Sequence, residues 1–136
     1  MASIFKETTV RTPVSAVWDA VRDVGAVATR LAPGFVTHCE LTEAARMVTF
    51  ANGMTVREAI VGLDETRRRL AYSATGGRLS HHNAAIELLD DGQGNTRFLW
   101  TADILPNDAA ATIEGMMDAG LKAMTATLEA GAKADA

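Results

Sequence analysis

Ile4-Phe5-Lys6-Glu7-Thr8-Thr9-Val10-Arg11-Thr12-Pro13-Val14-Ser15-Ala16-Val17-Trp18-Asp19-Ala20-Val21 is the stretch on which the fold turns. Phe5, Thr8 and Val10 favour an extended chain from Ile4 to Thr12, and Pro13 suits the first turn of a helix, where a missing N–H costs nothing. Thr12 is the predicted N-cap of that helix. Val14, Val17, Trp18 and Val21 fall at i, i+3, i+4 and i+7, one apolar stripe, with Ser15, Asp19 and Arg22 on the wet side. Asp23-Val24-Gly25 breaks the helix, Ala26 to Leu31 adds a turn or two, and Pro33-Gly34 ends that piece. The chain therefore opens with a strand and two small helices.

Outward from this opening, strands are predicted at Phe35 to Leu41, Arg46 to Ala51, Met54 to Leu63, Leu70 to Thr75, Asn83 to Leu89 and Thr96 to Leu105. Asn52-Gly53, between Ala51 and Met54, predicts a tight hairpin. The remaining turns are short, so consecutive strands are antiparallel neighbours, and Gly62 marks a bend or bulge within its strand. A long helix is predicted from Asn107 to Ala130, capped by Asn107 or Asp108. Its stripe of Ile113, Met117, Gly120, Leu121, Met124 and Leu128 needs an apolar partner, and only the concave face of the sheet is large enough. Gly120 either allows close helix–sheet packing or leaves room for a ligand. The fold class is α+β: a curved antiparallel sheet of about seven strands around a C-terminal helix.

Composition narrows the function. The 136 residues are read as one domain, 1–136, large enough for a real core. A net charge of −4 and a pI near 5.3 argue against a nucleic-acid partner, whose phosphates need basic neutralisation. Arg67-Arg68-Arg69 follows Asp64-Glu65-Thr66 and reads as a solvated turn. Cys39 is the only cysteine, which excludes an intrachain disulfide and a multi-cysteine metal site and suits the reducing cytoplasm. No apolar run approaches the ~18 residues of a spanning helix, and the first residues lack a signal-peptide core, so no membrane insertion is expected. Gly76-Gly77 lacks the phosphate-loop pattern and no Gly-x-Ser-x-Gly elbow occurs. His38 and Cys39 point to opposite faces of a strand and do not make a base–nucleophile pair.

Pro13, Val17, Trp18, Asp19, Pro33-Gly34, Val56-Arg57-Glu58 with Leu63-Asp64, Arg68-Arg69-Leu70-Ala71-Tyr72, Trp100, Pro106 and Gly120-Leu121-Lys122 carry a resemblance spanning nearly the whole chain. In order and spacing the chain resembles the START-like helix-grip superfamily (SRPBCC), specifically its polyketide cyclase/dehydrase and lipid-transport group. The resemblance implies a cavity between sheet and helix that binds small apolar or amphipathic molecules, with the Gly76 to Asn83 connection at its mouth. Members of the group commonly carry an aromatic where Asn83 stands, and the gate loop of the more distant hormone receptors shrinks here to Ala51-Asn52-Gly53.

Within such a cavity the expected lining is Val56, Glu58, Ile60, Tyr72, Ala74, Asn83, Ala85, Leu99, Ile113, Met117, Gly120 and Met124, with Glu58 and Asn83 orienting a polar group. Glu58 shares a strand face with Val56 and Ile60, and a carboxylate on an apolar face is either an anchor, a proton-transfer group or a solvated strand-end residue. His81 and His82 point to opposite faces and cannot together bind a metal, so they read as surface imidazoles, with one facing the pocket as the alternative. Trp18 and Trp100 read as packing residues. No metal or cofactor is expected. The leading expectation is binding of a small hydrophobic or amphipathic molecule, lipid or polyketide-like. The alternatives are a cyclase/dehydratase-type enzyme with Glu58 as acid or base, and a protein-docking module. Monomer and homodimer are left open.

Overall fold

Alternation of apolar residues builds seven strands in the computed structural model, which describes residues 1–134. They are β1 (Ala2–Val10), β2 (Val36–Thr42), β3 (Ala45–Phe50), β4 (Thr55–Asp64), β5 (Arg69–Thr75), β6 (His81–Asp90) and β7 (Thr96–Leu105). They form one antiparallel sheet in the order β1-β7-β6-β5-β4-β3-β2. Helix α1 (Val14–Arg22), a 3-10 turn (Val24–Ala26) and a π turn (Val27–Leu31) lie between β1 and β2, and α2 (Ala110–Ala134) closes the chain. This is the helix-grip α+β arrangement, with α2 held on the concave face of a curved open sheet. The two sheet edges are β1 and β2; α2 packs on the first, and the 3-10 and π turns pack on the second.

The stripe read on α1 is buried: Val17 is wholly inaccessible and Val14, Trp18 and Val21 lie beneath it in the core. Trp18 is pinned from outside as well, because its Nε1–H donates to Glu65 in the β4–β5 turn at 2.9 Å, and Arg22 Nε donates to the same carboxylate. Thr12 does not cap α1, whose N-cap is Pro13 without any side-chain bond. Instead the Thr12 hydroxyl donates to the Leu128 carbonyl in α2, and the Thr12 carbonyl accepts from the buried Thr96 hydroxyl at 2.8 Å. Tertiary partners claimed both polar groups of Thr12, so the β1–α1 junction is stitched to α2 and β7 rather than closed locally.

The start of α2 departs from the sequence reading in the same way. Asn107–Ala109 form a 3-10 turn with no side-chain cap, and the α-helix begins at Ala110. The β3–β4 hairpin also differs. Its loop is three residues, Ala51-Asn52-Gly53, because the Phe50 N–H bonds the Met54 carbonyl at 2.8 Å. Gly53 takes the left-handed conformation (φ 87°) that closes a three-residue loop, and Asn52 Oδ1 accepts from the Met54 N–H. In β4 the register with β5 shifts between Ile60 and Gly62, leaving Val61 as the extra residue of a bulge. Among the described residues no helix is long and apolar enough to cross a membrane.

Candidate functional site

Burial alternates along the strands, so the faces can be assigned. Val56, Glu58 and Ile60 of β4 and Leu70, Tyr72 and Ala74 of β5 share the concave face. His82, Ala84, Ile86 and Leu88 of β6 and Phe98, Trp100, Ala102 and Ile104 of β7 continue it. At one end of this face the side chains fill the space completely, with Phe98, Leu70, Leu88 and Val10 wholly or almost wholly inaccessible. At the other end, α2 stands off the sheet over a cavity of about 430 Å³.

Val56, Glu58, Tyr72, Ala74, His82 and Trp100 form the cavity floor. Thr112, Ile113, Met116 and Met117 of α2 form its roof, and Phe35, Phe50 and Met54 close one side. Gly76-Gly77-Arg78-Leu79 and Pro106, Asp108 and Ala109 complete the lining, with Gly76 to Arg78, Pro106 and Asp108 exposed. Six of the expected positions are thereby brought together: Val56, Glu58, Tyr72, Ala74, Ile113 and Met117. Met124 belongs to the packed core instead, and Ile60, partly buried, packs against that core. Gly120 is the point of closest helix–sheet approach, since a Cβ there would stand 3.0 Å from Phe35 Cε2 and 3.2 Å from Trp100 Cη2. Its lack of a side chain lets α2 settle on those two rings, which bounds the cavity rather than enlarging it.

Asn83, Ala85 and Leu99 are corrections. All three sit on the convex face, opposite the cavity. Asn83 is exposed, donating to Asp103 at 2.9 Å and meeting the His81 ring at 2.6 Å, and it orients nothing inside. The error is one of strand parity: β6 begins at His81, and its buried phase is His82, Ala84, Ile86, Leu88. A one-residue displacement exchanges an entire face. His82 and Trp100 take the places assigned to Asn83 and Leu99, so one imidazole faces the pocket while His81 stays exposed.

Glu58 is 8% exposed and its charge is compensated by Arg46, itself 4% exposed, whose Nε donates to Oε1 at 2.8 Å. The two are direct cross-strand partners. Arg46 Nη1 also donates to the Val24 carbonyl, and the guanidinium lies 5.4 Å from the centre of the Tyr72 ring. Sequence reading missed Arg46, although its alternation with Val48 and Phe50 is visible. Among the described residues Glu58 Oε2 has no hydrogen-bond partner, yet no buried side-chain oxygen or nitrogen is left unsatisfied. That oxygen is therefore open to the cavity.

Tyr72 accepts a hydrogen bond from Trp100 Nε1 at 2.9 Å, which leaves its own hydroxyl proton available. Burial first, then the Glu58 charge, holds this phenol well above its ordinary pKa, so it stays a donor. His82 is held in one tautomer. Ladder pairing of β5 with β6 ends at Tyr72↔Ala84, and beyond it the Ala74 N–H donates to His82 Nδ1 at 3.0 Å. With Nδ1 an acceptor, the neutral ring carries its proton on Nε2. Among the described residues the Nε2 atom has no hydrogen-bond partner and is not a buried unsatisfied atom, so on a cavity-lining ring it too opens to the cavity.

Burial, then the neighbouring His81, lowers the His82 pKa below the ordinary imidazole value. The folded protein thus binds this proton less readily than the unfolded chain, so the His82 contribution to stability is complete above about pH 6.5 and is lost as the pH falls through the folded pKa. Nuclear magnetic resonance titration should show the His82 ring protonating only below the ordinary imidazole range, with the Ala74 amide exchanging faster as it does so. An Ala74 amide indifferent to pH would contradict the tautomer assignment. Cys39 is half-buried and its thiol is raised by burial, which keeps it inert, and no cluster of metal-ligating side chains occurs among the described residues.

Comparison with known proteins agrees with this architecture. A family model described as polyketide cyclase / dehydrase and lipid transport matches residues 1–129. No curated protein matches the chain by sequence. An uncharacterised protein from Bacillus thuringiensis superposes with a TM-score of 0.84 at 16% identity, over 93% of this chain and 98% of that one. The protein XoxI from Bacillus cereus gives 0.83 at 19% identity, over 94% and 96%. A protein from Nitrosospira multiformis gives 0.80 at 18% identity, over 93% and 96%. At these identities the likeness is one of fold.

Proposed function

Starting from a chain that belongs to the polyketide cyclase / dehydrase and lipid transport family, we propose that it binds a small amphipathic molecule between sheet and α2. The apolar body lies under Ile113 and Met117, and a polar group meets Glu58. One observation carries this reading: a carboxylate in a mostly hydrocarbon cavity, with one oxygen occupied by Arg46 and the other left to the cavity. Burial of ligand hydrocarbon supplies affinity at roughly 25 cal/mol per Å², and the few polar groups select orientation. A hollow concave face favours a small occupant over a docked protein segment, which needs an open surface.

Native mass spectrometry of the protein purified from its own host should find a co-purifying small molecule. Ala74→Trp, which fills the cavity floor, should lose that adduct while keeping its far-ultraviolet circular dichroism. A clean apo mass across several growth conditions would count decisively against the binding role.

A cyclase/dehydratase-type reaction is the second reading, favoured by the carboxylate of Glu58 and the neutral imidazole of His82 on one cavity floor. Both are groups able to move protons. If turnover of a polyketide-like substrate is found, Glu58→Gln should reduce it by roughly 100-fold or more. Unchanged turnover would remove Glu58 from the chemistry.

A further inference from the structure

We propose that the occupant bridges Glu58 and His82 across the methyl group of Ala74, and is therefore a neutral molecule with a hydrogen-bond donor at one end and an acceptor at the other. The inference rests on the small-molecule reading above and specifies the ligand's chemistry. Arg46, Glu58, Ala74 and His82 lie in one row across β3, β4, β5 and β6. Arg46 pairs with Glu58, Glu58 pairs with Ala74, and the Ala74 N–H reaches His82. Glu58 and His82 are thus two strand spacings apart, roughly 10 Å between Cα atoms, with the smallest chiral side chain between them. Ala74 makes a flat apolar floor, and Ile113 and Met117 face it from α2.

The two ends of this slot differ in hydrogen-bond sense. Glu58 is the acceptor of the ion pair with Arg46 at 2.8 Å, and the second oxygen of such a carboxylate can only accept. His82 Nε2–H can only donate, because Nδ1 is already committed to the Ala74 N–H. The slot also selects against charge. Arg46 already offsets Glu58, so a cation at that end adds an unmatched charge and an anion there meets like charge; Arg78 and Asp108, which also line the cavity, belong to the β5–β6 connection and the turn before α2, outside this row. A flat ring system carrying a hydroxyl at one end and a carbonyl at the other satisfies both termini and covers the Ala74 methyl.

Four probes of one shape test this: naphthalene, 2-naphthol, 2-acetylnaphthalene and 6-acetyl-2-naphthol, titrated at neutral pH by isothermal calorimetry. Against naphthalene, the hydroxyl and the acetyl group should each tighten binding by roughly five- to ten-fold, and 6-acetyl-2-naphthol should show both gains. His82→Leu should erase the gain from the acetyl group alone. The charge-free double variant Arg46→Met/Glu58→Leu should erase the gain from the hydroxyl alone. The wild-type series can overturn the bridge even if a variant does not fold. Equal affinity for all four probes would overturn the bridge and leave the cavity reading standing, as would gains that survive both variants. Failure of every probe, naphthalene included, would overturn both.

Discussion

Replacing Arg46 with Met is expected to lower the unfolding free energy by about 3–5 kcal/mol, the cost of stranding a buried carboxylate without its partner. Glu58 loses the 2.8 Å bond to Nε, and the Val24 carbonyl loses its bond to Nη1. Met has nearly the stem of Arg but no charge to offer. The double variant Arg46→Met/Glu58→Leu should recover most of that loss, because a buried ion pair exchanged for apolar residues of similar volume is often neutral or better. Urea denaturation of the wild type, both single variants and the double variant completes the cycle. A single Arg46→Met variant within about 1 kcal/mol of wild type would show that Glu58 escapes to solvent, and the site described above would fail with it. Recovery in the double variant matters equally: it would mean that this pair is retained for what Glu58 presents to the cavity rather than for stability.

Phe98→Ala should cost a similar amount, about 3–5 kcal/mol, for a different reason. Phe98 is wholly inaccessible and stands on β7 between Leu88 of β6 and Thr8 of β1. Its neighbour Leu88 is itself almost wholly inaccessible and both flanking strands are paired, so the hole left by the ring will close poorly. The residue lies at the filled end of the concave face and does not line the cavity. Naphthalene affinity should therefore stay within about two-fold of wild type in the folded variant, since distant sites act independently. A large loss of affinity would mean that the filled and hollow ends move as one unit.

The division of the concave face into those two ends explains why the site was only partly legible beforehand. Val56, Glu58, Tyr72 and Ala74 could be placed because β4 and β5 have clear alternation, and Ile113 with Met117 follow from helical spacing. His82 could not, because the Gly76 to Ser80 connection gives no signal of where β6 begins, and starting the strand at Asn83 carried the wrong phase with it. The phase was recoverable from Ile86 and Leu88 alone, had those two been treated as the inward residues.

Arg46 shows a subtler loss. A two-residue Asn52-Gly53 turn would place Met47 opposite Glu58 and send Arg46 to the outer face. The observed loop has one residue more, and Arg46 meets Glu58 directly. Both loops are compatible with Asn-Gly, and the choice between them is made by the packing of Val48 and Val56 on the same face.

By itself the sequence determined the order of elements, the antiparallel sheet, the apolar stripes of both helices and the family, because these rest on periodicity and on residues close together in the chain. Tertiary structure decided everything that depends on register or on contact across it. It sent the Thr12 hydroxyl to α2 rather than to α1, set Arg46 against Glu58, and used the His82 imidazole to satisfy the Ala74 N–H where the strands part. The physical reason is common to all three: a polar group removed from water takes whichever partner the packed core brings within bonding distance, and that partner is rarely a near neighbour in the chain.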